Sequence, residues 1–116
     1  MARTARISEQ GGPEVIHWID QDLPPPGSGE VRMRNTAIGL NYIDTYHRDG
    51  TYPIPLPNGL GLEAAGVVEA VGDGVSTFAA GDRVCTFGPV LGAYATERNL
   101  PATTLFPIPA DIGDDV

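Results

Sequence analysis

Glycine and proline occupy 26 positions of this 116-residue chain, 15 Gly and 11 Pro. Both are costly inside a helix, glycine through backbone entropy and proline through its missing N–H and the clash of its ring with the preceding turn. A helical bundle is therefore disfavoured, and short strands joined by many turns are favoured. The length allows one domain and hardly two, and it suffices to bury a core without disulfides or a structural metal. With 41% hydrophobic residues the chain is too apolar for disorder despite its net charge of −8. The expectation is one small, loop-rich, mainly β domain spanning residues 1–116.

Charge and cysteine narrow the partners. All seven basic residues are Arg, at positions 3, 6, 32, 34, 48, 83 and 98, and they are scattered. No basic stripe is present to track phosphates, so nucleic acid and anionic membrane are poor partners. Cys85 is the only cysteine, which excludes an intrachain disulfide and a Cys-rich zinc site. It sits in the strand-like run Arg83–Phe87 and reads as a small buried hydrophobe. The first six residues lack the apolar stretch of a signal peptide, and no apolar run reaches membrane-spanning length. A cytoplasmic setting is expected.

The patterning predicts a strand over Ala2–Ile7, a break at Glu9–Pro13, and a returning hairpin arm over Glu14–Asp20. Glu30–Leu40 carries the clearest period-2 signal. Val31, Met33 and Asn35 face one way, and Arg32, Arg34 and Thr36 the other. Asn41–Arg48 changes to helical spacing, with Asn41 placed to cap and Gly50 to terminate. Three prolines between Tyr52 and Gly59 demand an extended loop. Further strands are expected over Leu62–Val71, Arg83–Phe87, Gly92–Leu100 and Thr104–Ile108, with turns at Gly72–Gly74 and Gly81–Asp82. Ala110–Val116 resembles the capped, acidic start of a helix that then fails to arrive.

Few residues carry chemistry. Gly59-Leu60-Gly61-Leu62-Glu63-Ala64 matches the dinucleotide fingerprint, but a proline-rich stretch precedes it and a β-branched one follows. The strand–turn–helix that delivers a helix N-terminus to a pyrophosphate is not predicted here, so the match reads as false. His17 and His47 lie far apart in sequence, with no ligand spacing around either, and read as ordinary histidines. No Ser lies in a nucleophile-elbow motif. More informative is the cluster Asn41, Tyr42, Asp44, Tyr46 and Tyr52 around one helical turn and its exit loop. Such a set either lines a flat aromatic pocket with polar tips or simply packs a helix on a sheet.

Several stretches together resemble the medium-chain dehydrogenase/reductase superfamily, and within it the zinc-independent NADPH:quinone oxidoreductases that include zeta-crystallin. They are Gly11–Val15, Gly29–Val31, Gly39–Asp44, Gly61–Val68, Val71-Gly72, Gly81–Val84 and Gly92–Ala95, in that order along nearly the whole chain. In the zinc alcohol dehydrogenases a Cys stands where Asn41 is and a His where Leu62 is. Neither residue here gives the donor Zn²⁺ needs, and no metal site is expected.

The resemblance implies a GroES-like, partly open β-barrel with short helices, facing a Rossmann domain that lies outside this sequence and binds most of NADPH. It implies hydride transfer to a small-molecule quinone without zinc. Tyr46, Tyr52 and Asp44 would be the catalytic, cleft-lining residues, and Asn41 and Tyr42 would meet the nicotinamide. The full-length protein is expected to form a homodimer, and the 116-residue chain alone to be inactive. Two other readings stay open: a non-enzymatic GroES-like binding or structural module, and a related NADPH-dependent enal or enoyl reductase.

Overall fold

A computed structural model describes residues 2–115 as two antiparallel sheets that do not close on each other. The first sheet has the order β2-β1-β4, with β1 at Ala2–Ile7, β2 at His17–Gln21 and β4 at Asn58–Gly59. The second has the order β7-β3-β5-β6-β8, with β3 at Glu30–Ile38, β5 at Glu63–Val71, β6 at Arg83–Phe87, β7 at Glu97–Pro101 and β8 at Phe106–Pro107. The one α-helix among the described residues, α1, runs over Tyr42–Asp49 between β3 and β4. The mainly β reading from glycine and proline content holds. Among the described residues no helix is long and apolar enough to cross a membrane.

The period-2 pattern of β3 sets the main core. Val31 and Met33 are fully buried, and with Val68 of β5, Val84 of β6 and Leu100 of β7 they form one apolar cluster. Each such side chain contributes about 1.5–3 kcal/mol by leaving water. The pairing of β3 with β5 is possible only because Gly66 has no side chain, since a Cβ there would run into the carbonyl oxygen of Arg34. A second, smaller cluster of Ile7, Val15 and Leu60 sits beneath the first sheet, with Ile16, Ile54 and Tyr94 against it.

Three expectations need correction. The predicted hairpin arm Glu14–Asp20 begins later, at His17, because Pro13 starts a 3-10 turn over Pro13–Val15 that drives Val15 into the smaller cluster. The predicted strand Gly92–Leu100 is regular only over Glu97–Pro101. Residues 92–96 instead bridge the two sheets, through the Thr4–Ala95 pair and the Ala5 N–H bonded to the Tyr94 carbonyl at 2.8 Å. Residues 110–115 form turns instead of the expected helix start, held by Arg83, which donates to the Pro109 and Ile112 carbonyls and to Asp114.

Candidate functional site

β3 delivers the chain through Gly39 and Leu40 to the N-terminus of α1. Asn41 caps it in an extended conformation, the geometry an N-cap requires. Its main-chain carbonyl accepts from the Asp44 N–H at 3.0 Å, and its own N–H donates to Asp44 Oδ2 at 3.1 Å. The helix has only two turns and needs tertiary support. Gly11 and Arg48 supply it, the Gly11 N–H donating to the Arg48 carbonyl and Arg48 Nε to the Gly11 carbonyl.

Gly50 ends the helix in the left-handed region at φ 91°, as its position in the sequence predicts. The Tyr46 carbonyl then accepts from both the Gly50 N–H, at 3.1 Å, and the Tyr52 N–H, at 3.2 Å. This turn folds Tyr52 back onto Tyr46. The two rings meet edge to face, with centroids 5.5 Å apart and planes at 71°, a favoured aromatic geometry. Both rings remain open to solvent, Tyr52 more than Tyr46, and Tyr42 is 83% exposed.

The structure thus joins Tyr46 to Tyr52 and Asn41 to Asp44, and leaves Tyr42 projecting outward. Asp44 departs from the expectation that it lines a cleft. It occupies the inward face of the first turn, 3% exposed, and its carboxylate faces protein rather than solvent. Its Oδ2 accepts a further hydrogen bond from the Tyr94 hydroxyl. Burial, foremost, and the Asp44 carboxylate push the Tyr94 phenol well above the ordinary tyrosine range. The Asn41 amide nitrogen is buried and has no partner among the described residues.

Tyr94 escaped the sequence reading as a site residue because it lies 42 residues beyond Tyr52, in a stretch read only as a strand. The false dinucleotide fingerprint was its trace. A side chain at Gly61 would meet the Tyr94 ring at 2.6 Å, and one at Gly59 would meet Gly92 Cα at 2.8 Å. The two glycines are consumed in packing the 59–61 and 92–94 segments together. No helix follows them, since β5 begins at Glu63.

His17 is exposed on β2, while His47 is buried on α1. Among the described residues no three of His, Cys, Asp and Glu converge as metal ligands. A cavity of about 490 Å³ lies between the β3-β5-β6 face and residues 106–115, with Gly39 in its lining. Cys85 lines it and is partly exposed there, not fully buried as the sequence suggested. No tyrosine reaches this cavity.

The family description of the alcohol dehydrogenase GroES-like domain matches residues 27–110. The chain belongs to this family. The GroES-like domain is 50% identical over 122 residues to a 2-haloacrylate reductase of Burkholderia sp., a match covering all of this chain and 36% of that relative. It is 50% identical over 113 residues to a quinone oxidoreductase of Pseudomonas aeruginosa, covering 97% of this chain and 35% of the relative. The crystal structure of Escherichia coli quinone oxidoreductase complexed with NADPH superposes with a TM-score of 0.92 at 43% identity, covering 99% of this chain and 35% of that one. The chain therefore spans about a third of the length of the relatives it matches. The expected GroES-like architecture and the resemblance to quinone oxidoreductases are both met.

Proposed function

We propose that this GroES-like domain forms the substrate side of an NADPH-dependent quinone reduction that proceeds without zinc. The observation that carries this reading is the Tyr46–Tyr52 pair, two solvent-facing rings at the exit of the helix that Asn41 caps. A quinone is flat and electron-poor, and its oxygens gain charge as it is reduced. Aromatic edges can hold the ring, and phenol hydroxyls can donate to the developing phenolate. A hydroquinone forms as two electrons and two protons are taken up, and no Lewis acid is needed to polarise an acceptor that is already electron-poor. Asn41 and Leu62 at the positions of the zinc donors support the metal-free reading.

The fit of NADPH to this chain is limited to one end. NADPH, when bound, supplies the hydride. The unpartnered Asn41 amide and the exposed Tyr42 ring suit its nicotinamide. Gly59 and Gly61 are occupied in packing and offer no cradle for its phosphates. The phosphate contacts are accordingly assigned to a second domain, of the kind expected from the length of the relatives.

The test is a chimera in which residues 1–116 replace the matching segment of the Escherichia coli enzyme. It is expected to oxidise NADPH with a benzoquinone, whereas the 116-residue chain alone is not. Tyr52→Phe and Asn41→Ala should each lower kcat/KM by about tenfold or more, the loss of one well-placed hydrogen bond in a desolvated site. A folded, NADPH-binding chimera without quinone turnover would sink the functional reading, and unchanged kcat/KM in both variants would sink the site. The 50% identity to the 2-haloacrylate reductase favours a second acceptor class, an activated C=C bond. Assaying the chimera with 2-chloroacrylate beside the quinone decides between them.

A further inference from the structure

We propose that Tyr94 is a positioning residue for the reacting face, acting through Asp44 on Asn41. Its hydroxyl donates to Asp44 Oδ2, the same oxygen that accepts the Asn41 N–H at 3.1 Å. The inference deepens the functional reading and rests on it for its catalytic consequence, because Asn41 is there assigned to the nicotinamide.

Three features make the link directional. Tyr94 itself is fixed. Its N–H donates to the Leu60 carbonyl at 3.0 Å, its carbonyl accepts from Ala5, and its ring sits in the space left by Gly61. Asp44 is buried, with no ion pair and no partner for Oδ1 among the described residues, so the phenol and the Asn41 N–H, both on Oδ2, are the compensation its side chain has for lost water. Asn41, by contrast, has a side-chain amide nitrogen with no partner of its own. The cap is held through its backbone, and that hold runs through Asp44 to Tyr94. The segment 92–96, which joins the two sheets, thereby sets the start of α1.

Tyr94→Phe keeps the ring and removes only the hydroxyl. In this 116-residue chain, exchange of the Asn41 amide hydrogen, followed by NMR, should accelerate by about tenfold or more, as expected on losing a hydrogen bond to a charged group. Amides of β3 and β5 should be unchanged. In the chimera the same variant should lower kcat by about tenfold while leaving KM for NADPH within twofold. Asn41 exchange altered by less than twofold in a folded variant would overturn the proposal. Should Tyr94→Phe not fold, Asp44→Asn weakens the same bond with the ring in place, and the same criterion applies. The exchange arm decides positioning without reference to turnover. A chimera inactive with its natural residues would instead count against the functional reading alone.

Discussion

The ring of Tyr94 fills the space that a side chain at Gly61 would need, with Cδ1 2.6 Å from the position of the absent Cβ. Gly61 also sits at φ 97°, in the region L side chains avoid. Gly61→Ala therefore meets both a strained backbone and an aromatic ring pinned on both sides. The expected loss is about 2–4 kcal/mol, combining about 1–2 kcal/mol of left-handed strain with an overpacking cost of similar size. Gly74→Ala shares the positive φ, at 82°, but faces open space, and should lose only the strain. Urea midpoints compare the two, and equal losses would show that the ring gives way freely.

That contact also marks the limit of sequence reading. The period-2 pattern of β3, the Asn41 and Gly50 ends of α1 and the prolines after Tyr52 were all legible, because each is a local rule obeyed locally. The fingerprint at 59–64 was legible as false for the same reason, since its flanks lacked the right periodicities. What it was for instead was not legible. The answer lies across 33 residues of chain, in Tyr94 and Gly92, and no local pattern encodes such a contact. Asp44 was found as a polar residue near the tyrosines, but its inward direction depends on how a two-turn helix is tethered by Gly11 and Arg48. The turns at 110–115, where the sequence suggests only the start of a helix, have a similar cause, with Arg83 capturing the Pro109 and Ile112 carbonyls.

Tyr94 also makes a prediction in alkali. Burial, and then the Asp44 carboxylate, raise its pKa in the folded state above the unfolded value near 10. Its contribution to stability is therefore fully present below pH 10 and is lost as pH rises beyond that. Tyr94→Phe cannot lose it. Between pH 9 and pH 11 the natural chain should lose more stability than the variant, measured by urea unfolding at each pH. Parallel declines would show that the phenol ionises in the fold as easily as in water.

Arg98 works in the opposite direction. It is 8% exposed, pairs with no carboxylate among the described residues, and makes one hydrogen bond, from Nη1 to the Val90 carbonyl at 3.3 Å. Burial pulls its pKa down from the ordinary guanidinium value to about 10. Between these values the unfolded chain binds more protons, so this group makes stability rise with pH over that window. At neutral pH the unpaired buried charge is a cost. Arg98→Met keeps most of the stem and removes the charge, and should raise stability by about 1–3 kcal/mol. A lower thermal midpoint in this variant would mean that the guanidinium is compensated in solution.

The turns that close the large cavity depend on Asp114. Its carboxylate accepts from the Thr36 hydroxyl at 2.6 Å and pairs with Arg83 at 2.6 Å. These two contacts, Thr36 first, hold its pKa below the ordinary value of 3.8. The stabilisation is therefore present above about pH 4 and is lost as pH falls through the lowered folded value. Asp114→Asn should loosen residues 106–115 at neutral pH and uncover Cys85, which lines the cavity beneath them. The rate at which a disulfide reagent modifies the Cys85 thiol reads this directly, and should increase several-fold. Arg83→Met should increase it further, because Arg83 also holds the Pro109 and Ile112 carbonyls, which Asp114→Asn leaves in place. The order of the two rates is the decisive observation. A faster thiol in Asp114→Asn than in Arg83→Met would place control of the cavity with Thr36 rather than with the guanidinium.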